Sequence, residues 1–214
     1  MWSRRLGKVL FILSGALLLA AASTFLIIYN EGNIAAENAK KLLVEYEKEM
    51  NTTSIPTTAE TPNGTSLTET DTSPTPALTP ENYEGYQVIG KLVIDKISAE
   101  LPVISEMSTT ALKVSCCYYQ GAMPGEQGNM VITGHDYANG AIFGRLGEVK
   151  TGDTIVLSTL LGDFTYNVYE TKIIRPDDIA ALDEYQGDRA LTLMTCTSNG
   201  NRRLLVRCML TSTG

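Results

Sequence analysis

An uninterrupted apolar run lies near the start of the chain. Residues 9–29 read VLFILSGALLLAAASTFLIIY and contain no charged side chain. As a helix rising about 1.5 Å per residue, the run would span roughly 30 Å, the thickness of a bilayer's hydrocarbon core. Basic residues stand before it in residues 1–8 and Glu31 stands after it, so the positive-inside bias predicts a single-pass anchor with a cytoplasmic N-terminus and an exported remainder. A cleaved signal peptide is the alternative, because residues 20–22 are small, but the apolar run continues past them.

Two polar segments follow this run. Residues 30–50 predict a juxtamembrane helix, which we expect to continue the anchor. Its apolar positions form only a weak stripe: Ile34, Leu42, Leu43, Val44 and Tyr46. In residues 51–82, 19 of the 32 residues are Thr, Ser or Pro and none is Lys or Arg. Such a segment cannot bury enough apolar surface to become ordered, so we predict a disordered linker that lifts the rest of the chain away from the membrane.

Short β-rich runs recur through residues 83–214, a normal length for one domain. The predicted strands are Gln87–Ile94, Asn129–Thr133, Asp153–Leu160, Phe164–Ile174, Ala190–Cys196 and Arg203–Leu210. The predicted helices are short, namely Ser108–Val114, Ile142–Val149 and Pro176–Leu182. Many short strands separated by Gly and Pro turns are typical of a sandwich or barrel rather than a βαβ sheet. An all-β barrel with a few short helices is therefore predicted.

Composition excludes several classes of function. The formal net charge is −7, whereas a nucleic-acid-binding protein would show a dense basic face. A single histidine rules out a multi-histidine metal centre. Four cysteines in 214 residues are too sparse for a disulfide scaffold.

Three side chains with catalytic chemistry stand near predicted strand ends. His135, the only histidine, follows a strand through Gly134, where glycine permits a backbone conformation that other residues avoid. Cys196 ends a strand, and a hairpin would return Arg203 beside it, whereas Arg207 would lie about 13 Å further along. A neighbouring cation favours the nucleophilic thiolate, an imidazole protonates a leaving amine and a guanidinium stabilises an oxyanion. These residues fit nucleophilic thiol catalysis, although a lone histidine is more often a satisfied surface or core residue.

Alternation along the last strand divides its side chains between two faces. One face is apolar and should point into the core: Leu204, Val206, Cys208 and Leu210. The opposite face carries Arg203, Leu205, Arg207 and Met209.

Three short motifs in this order resemble one family. Residues 192–196, TLMTC, resemble the TLxTC signature of sortases, the membrane-anchored cysteine transpeptidases of Gram-positive cell surfaces. Residues 133–135, Thr-Gly-His, resemble the strand-end Gly-His of that family, and Arg203 matches its catalytic arginine. Further stretches agree in the same order: residues 90–94, 101–103, 124–129, 143–146 and 150–153.

This resemblance implies a closed eight-stranded sortase-type barrel that cleaves an LPxTG-like sorting signal on secreted proteins, between Thr and Gly. By position, Cys196 would be the nucleophile that forms an acyl-thioester, His135 the general acid/base and Arg203 the oxyanion or substrate stabiliser. Thr133 and Thr195 would bind substrate. An amine of a cell-wall precursor or of a pilin would resolve the thioester, with no cofactor or metal.

The resemblance also implies that residues 173–189 flank the sorting-signal groove. A class D-like or unclassified sortase is expected, because no second apolar run follows Arg203 and residues 51–82 contain no Asp-Pro-aromatic lid motif.

Several alternatives stay open. A plain cysteine hydrolase would resolve the acyl-enzyme with water, and an anchored extracellular binding domain would carry the same three side chains without catalysis. Cys208 is expected to be a buried free thiol, while Cys116 and Cys117 are either buried or redox-sensitive. Asp136 either orients His135 or is a solvated loop carboxylate.

Overall fold

A long N-terminal helix and a β-barrel make up the part of the chain that the computed structural model describes, namely residues 2–52, 81–83, 85–197 and 200–214. The helix α1 runs without a break over Trp2–Thr52 and includes the whole of the predicted anchor. It is long and apolar enough to cross a membrane, and its most apolar window is not covered by the barrel. The predicted disordered linker lies almost entirely outside the described residues.

Nine strands follow the helix in the described residues. They are β1 Glu81–Tyr83, β2 Tyr86–Ile94, β3 Ala99–Ile104, β4 Cys116–Gly121, β5 Gly128–Gly134, β6 Thr154–Thr159, β7 Gly162–Ile174, β8 Arg189–Thr197 and β9 Arg202–Thr213. Eight of them form the cycle β2-β3-β4-β5-β8-β9-β7-β6, which the β2–β6 pairing closes. The closed eight-stranded barrel is therefore confirmed. β1 pairs with β2 from Glu81 onwards.

Two barrel strands, β3 and β4, were not among the strands predicted from the pattern. Pro102 lies within β3, and proline is tolerated in a strand where no neighbouring strand needs its missing N–H group. β4 pairs with β3 only through Val103 and Ile104, so Pro102 stands where that side of β3 has no partner. The three predicted helices are each a single 3₁₀ turn: Ala111–Lys113, Leu146–Glu148 and Ile179–Leu182. Runs this short do not overcome the cost of nucleating an α-helix.

Alternate side chains of β5, β8 and β9 point into the barrel and fill its interior. Met130, Ile132, Leu191, Leu193 and Val206 all face inward and are buried in the main core cluster. Cys208 joins them, which confirms its predicted place on the core face.

The outer face of β9 is covered as well. Leu205 packs with Val131, Ile174 and Leu182 in a separate cluster, beneath the segment that joins β7 to β8. This segment contains the 3₁₀ turn Ile179–Leu182 and forms a wall over the outer face of β5, β8 and β9.

The juxtamembrane part of α1 packs against the barrel. Its buried positions are Gly32, Ala35, Ala39, Leu42, Leu43 and Tyr46, a spacing of three and four residues that places them on one helix face. Leu42, Leu43 and Tyr46 form a cluster with barrel residues that include Val88 and Ile104. The predicted stripe was wrong at Ile34 and Val44, which are 50% and 56% exposed. The small residues Gly32, Ala35 and Ala39 take their place because they allow the helix to approach the barrel closely.

Candidate active site

Strand register brings the three candidate catalytic residues together. Cys196 on β8 pairs directly with Arg203 on β9, so their side chains are neighbours on one face. On the other side of β8, Gly134 pairs in parallel with Thr195. The next residue, His135, therefore stands beside Cys196. All three side chains lie on the outer face, because the residues between them alternate into the core.

These residues line one groove with a cavity volume of about 280 Å³. Ile174, Ile179 and Leu182 form one apolar wall, and Met107 and Leu112 form another part of the lining. The predicted flanking segment, residues 173–189, supplies the first wall. These two parts of the lining are apolar, Asp178 adds a carboxylate, and a thiol, an imidazole and a guanidinium lie where the strands end.

Arg203 is held by the hairpin that joins β8 to β9. Its Nη1 donates to the backbone oxygen of Gly200 at 2.9 Å and to that of Arg202 at 3.1 Å. These bonds orient the half-buried guanidinium in the groove. Both bonds use Nη1 alone, one of the three nitrogens of a guanidinium that carries five N–H donors.

His135 is half-buried, and its surroundings favour the neutral imidazole. Burial lowers the pKa of His135, the Lys113 ammonium lowers it further, and the Glu31 carboxylate raises it in part. The ring makes an edge-to-face contact with Tyr137, with 5.3 Å between centroids. Asp136 is exposed and pairs through its backbone with Ile142, which fits a solvated loop carboxylate.

Thr133 and Thr195 take different positions. Thr133 lines the groove. Thr195 is only 3% exposed, and its hydroxyl donates to the Gly134 backbone oxygen at 2.7 Å. Because it alternates with Cys196, Thr195 points into the barrel and fixes the strand that carries His135, and we correct its predicted role as a substrate contact accordingly.

Gly134 is required by packing and not by its backbone angles. A Cβ at this position would lie 2.7 Å from the Phe143 ring, and Gly134 is absent from the residues with positive φ. The sequence-based argument for backbone freedom at this glycine was therefore wrong. A larger side chain would displace Phe143 from the core directly beneath His135.

Two buried polar residues hold the groove wall, a role that the sequence analysis did not predict for either of them. Asn129 donates from Nδ2 to the Leu182 backbone oxygen at 2.8 Å and accepts at Oδ1 from Thr192 at 3.0 Å. Arg207, 4% exposed, donates to the backbone oxygen of Ala181. Arg207 also pairs with Glu170 at 2.6 Å. The only indication of this role in the sequence is that these polar side chains stand among apolar ones on the outer faces of β5 and β9.

The remaining cysteines are free buried thiols. Cys116, Cys117 and Cys208 have no accessible surface and no disulfide. Burial raises the pKa of Cys117 to about 12 and raises those of Cys116 and Cys208 still further. Protonated, inaccessible thiols are poor nucleophiles. Cys196 is the one partly exposed cysteine, and all four cysteines lie within the described part of the chain.

Comparison with known proteins agrees with this geometry. A family model described as the sortase domain matches residues 92–211. Sortase D of Bacillus subtilis (strain 168) is 34% identical over 111 residues, which cover 51% of this chain and 54% of that protein. Sortase A of Listeria monocytogenes is 28% identical over 116 residues, covering 54% and 52%. The chain thus spans about half the length of these curated relatives.

Solved structures show the same fold. Sortase A from Corynebacterium diphtheriae superposes with a TM-score of 0.55 at 31% identity, over 59% of this chain and 62% of the other. Sortase C of Streptococcus pneumoniae gives a TM-score of 0.55 at 30% identity, over 59% and 70%. The similarity to a sortase D is consistent with the class D-like assignment. Because the family model covers more than half of the sequence, this chain belongs to the sortase family.

Proposed function

We propose that this protein is a cysteine transpeptidase that cleaves an LPxTG-like sorting signal and transfers the acyl group to an amine. The observation that carries this proposal is the register that places Cys196 opposite Arg203 and beside His135 in one groove. Membership of the sortase family supports the reaction class. The donor would be a secreted protein, and the acceptor an amine of a cell-wall precursor or of a pilin.

The first half-reaction forms an acyl-enzyme. The Cys196 thiolate attacks the carbonyl carbon of the signal's threonine, and the tetrahedral oxyanion accepts hydrogen bonds from Arg203. The C–N bond to glycine breaks as the protonated His135 gives its proton to the leaving amine. The products are a thioester on Cys196 and a released fragment with a new amino terminus.

The second half-reaction transfers the acyl group. An acceptor amine attacks the thioester carbonyl, and His135, now neutral, takes a proton from that amine. The C–S bond breaks and returns Cys196 as a thiolate, while a new amide joins donor and acceptor. The lowered pKa of His135 favours the neutral imidazole that must accept the proton in this step, and it disfavours the imidazolium that the first half-reaction uses.

The apolar part of α1 is proposed to be a single-pass membrane anchor. Its length, composition and lack of cover by the barrel support this role. The basic residues of positions 1–8 favour a cytoplasmic N-terminus, which places the barrel on the extracellular side of the cell membrane.

Mass spectrometry of the full chain, solubilised in detergent and incubated with a panel of LPxTG-like peptides, tests the proposal. We expect an adduct of the acyl fragment on Cys196, and an amide product when an amine such as triglycine is added. Cys196→Ala should form neither. Hydrolysed peptide alone, with every acceptor tried, would instead establish the cysteine hydrolase. Neither adduct nor cleavage with any peptide would favour the non-catalytic binding domain.

A further inference from the structure

The unbroken helix α1 links the membrane anchor rigidly to the barrel. Its apolar run ends at Tyr29, and the first residue buried against the barrel is Gly32. The helix continues to Thr52 without interruption. The barrel therefore lies beside the helix just after its apolar run, whereas the sequence alone predicts a barrel that residues 51–82 lift away from the membrane.

The docked face is fixed at both ends by polar contacts. At its membrane-proximal end, the Asn139 amide donates to Asn33 Oδ1 at 2.9 Å, and a Cβ at Gly32 would overlap the Asn139 side chain. At its other end, the Lys91 ammonium on β2 pairs with Glu47 at 2.7 Å. Between them, small and apolar residues are buried, so α1 is attached over its whole juxtamembrane length.

The membrane-proximal contact belongs to the loop that follows the catalytic histidine. Asn139 lies four residues after His135, and its Oδ1 accepts a hydrogen bond from the Ala141 backbone at 3.1 Å. Tyr137 in the same loop touches the His135 ring edge-to-face. The loop Tyr137–Gly140 therefore joins α1 on one side to the catalytic imidazole on the other.

The height of this loop above the bilayer follows from the helix rise. From Tyr29 to Asn33 is four residues, or about 6 Å along the helix axis. The headgroup layer on each side of the hydrocarbon core is roughly 5–7 Å thick. Asn33, and Asn139 bonded to it, therefore fall at the level of the headgroups, and a tilted helix would bring them closer still.

We propose that the loop Tyr137–Gly140 is a membrane-contacting surface that rests on the headgroup layer of the bilayer holding α1, so that the distance between the catalytic groove and that bilayer is fixed. This inference rests on the proposed role of α1 as an anchor. In this arrangement the docked helix fixes the distance of His135 from the bilayer.

Depth measurement in vesicles tests the position of the loop. The full chain is reconstituted in vesicles of phosphatidylethanolamine and phosphatidylglycerol with a nitroxide on some headgroups, in a Cys196→Ala background. A fluorophore is placed on Ala138→Cys or, as a control, on Leu161→Cys. Leu161 follows β6, which pairs with Lys91 at the far end of the docked face. We expect strong quenching at position 138 and little at position 161; equal quenching at the two positions would overturn the proposal.

Undocking of α1 provides a second test. Ala39 is buried against the barrel and Ala36 is exposed one turn away, so Ala39→Arg should release the helix and Ala36→Arg should not. We expect Ala39→Arg to lose the quenching at position 138. With Cys196 restored, it should also lower the rate for a vesicle-tethered donor peptide relative to a soluble one about threefold or more.

Cleavage of the soluble peptide distinguishes a failure of the proposed function from a failure of the proposed membrane contact. If the wild type cleaves no peptide, the proposed function fails while the quenching result still decides the position of the loop. If Ala39→Arg also loses soluble cleavage, the milder pair Asn33→Ala and Glu47→Gln replaces it, because these changes remove only the two end contacts. Unchanged quenching and an unchanged tethered-to-soluble ratio in all of these variants would overturn the proposal.

Discussion

At the scale of single residues, the site depends on side chains whose partners are set by strand pairing. Arg203 is half-buried and bound to hairpin carbonyls, whereas its neighbour Arg202 is exposed. Alternation along β9 gives these adjacent arginines opposite directions, and only Arg203 lines the groove. Replacing each of these two arginines in turn therefore distinguishes the effect of the side chain's position from the effect of its charge.

Arg203→Ala should lower kcat/KM for an LPxTG-like peptide by roughly 10²- to 10³-fold, the usual cost of removing an oxyanion donor. Arg202→Ala has the same change of charge and should leave kcat/KM nearly unchanged. Steady-state kinetics of the two variants measures the difference. Equal losses in both would show that only the local positive charge matters.

The lone histidine makes its own titration easy to observe. Burial and Lys113 lower the pKa of His135 below its ordinary value of 6.5, and Glu31 partly offsets them. Removing the cation in Lys113→Gln should raise this pKa, because the imidazolium loses a repulsive neighbour. Removing the carboxylate in Glu31→Gln should lower it, because the imidazolium loses an attractive one.

Proton NMR of the single imidazole, recorded against pH in the full chain, measures the midpoint in each variant. In the wild type we expect His135 to charge only below pH 6.5. Shifts in the same direction for both variants would contradict this electrostatic account, as would a wild-type midpoint above 6.5.

At the scale of elements, the groove depends on the segment between β7 and β8. This segment contains only one short 3₁₀ turn, yet it supplies an entire apolar wall. Its shape is held from beneath by Asn129 and Arg207, which donate to the consecutive carbonyls of Leu182 and Ala181. These residues act through the wall and are positioning residues.

Asn129→Ala should destabilise the fold by about 1–3 kcal/mol, because it leaves the buried Leu182 carbonyl without a donor. We also expect KM for the peptide to rise more than kcat falls, since the wall moves while Cys196 and His135 stay in place. Asn167→Ala is the control, because Asn167 is exposed and its side chain accepts a hydrogen bond from the Thr154 hydroxyl at 3.2 Å on the surface. A fall in kcat without a change in KM would place Asn129 in the chemical step instead.

At the scale of the whole molecule, the barrel and the juxtamembrane part of α1 pack against each other. The buried face of α1 covers β-strand residues that would otherwise be exposed apolar surface, including Val88 and Ile104. The helix therefore contributes to the stability of the barrel as well as to its attachment. Such packing is unexpected for a domain that a long Thr-, Ser- and Pro-rich segment separates from α1 in the sequence.

Leu42→Ala should reduce the free energy of unfolding by about 2–5 kcal/mol, the cost of a cavity at a buried leucine. Leu42 is 1% exposed and Val44, on the same helix, is 56% exposed. Val44→Ala should therefore change the stability by less than about 0.5 kcal/mol. Urea unfolding of the full chain in detergent, followed by tyrosine fluorescence, measures both values. Equal stability of the two variants would show that α1 is not docked in solution.

Local pattern was sufficient for much of the architecture. Each of these features depends on residues that are close together in the sequence. They are the apolar run of residues 9–29, the alternation of β8 and β9, and the short motifs that contain His135, Cys196 and Arg203. Their periodicity therefore indicates helix, strand and inward-facing side chains before any contact is known. The eight-stranded closure came from the family resemblance, since β3 and β4 are too short and irregular to be read from pattern.

Contacts between distant segments required the folded chain. Asn33 meets Asn139, and Arg207 meets Ala181, across 106 and 26 residues respectively, and nothing near any of them in the sequence indicates its partner. The close approach of α1 needs Gly32, whose lack of a side chain makes it invisible to a hydrophobic pattern. Neighbouring residues decide which element forms and which face is apolar, whereas the path of the whole backbone decides what that face meets.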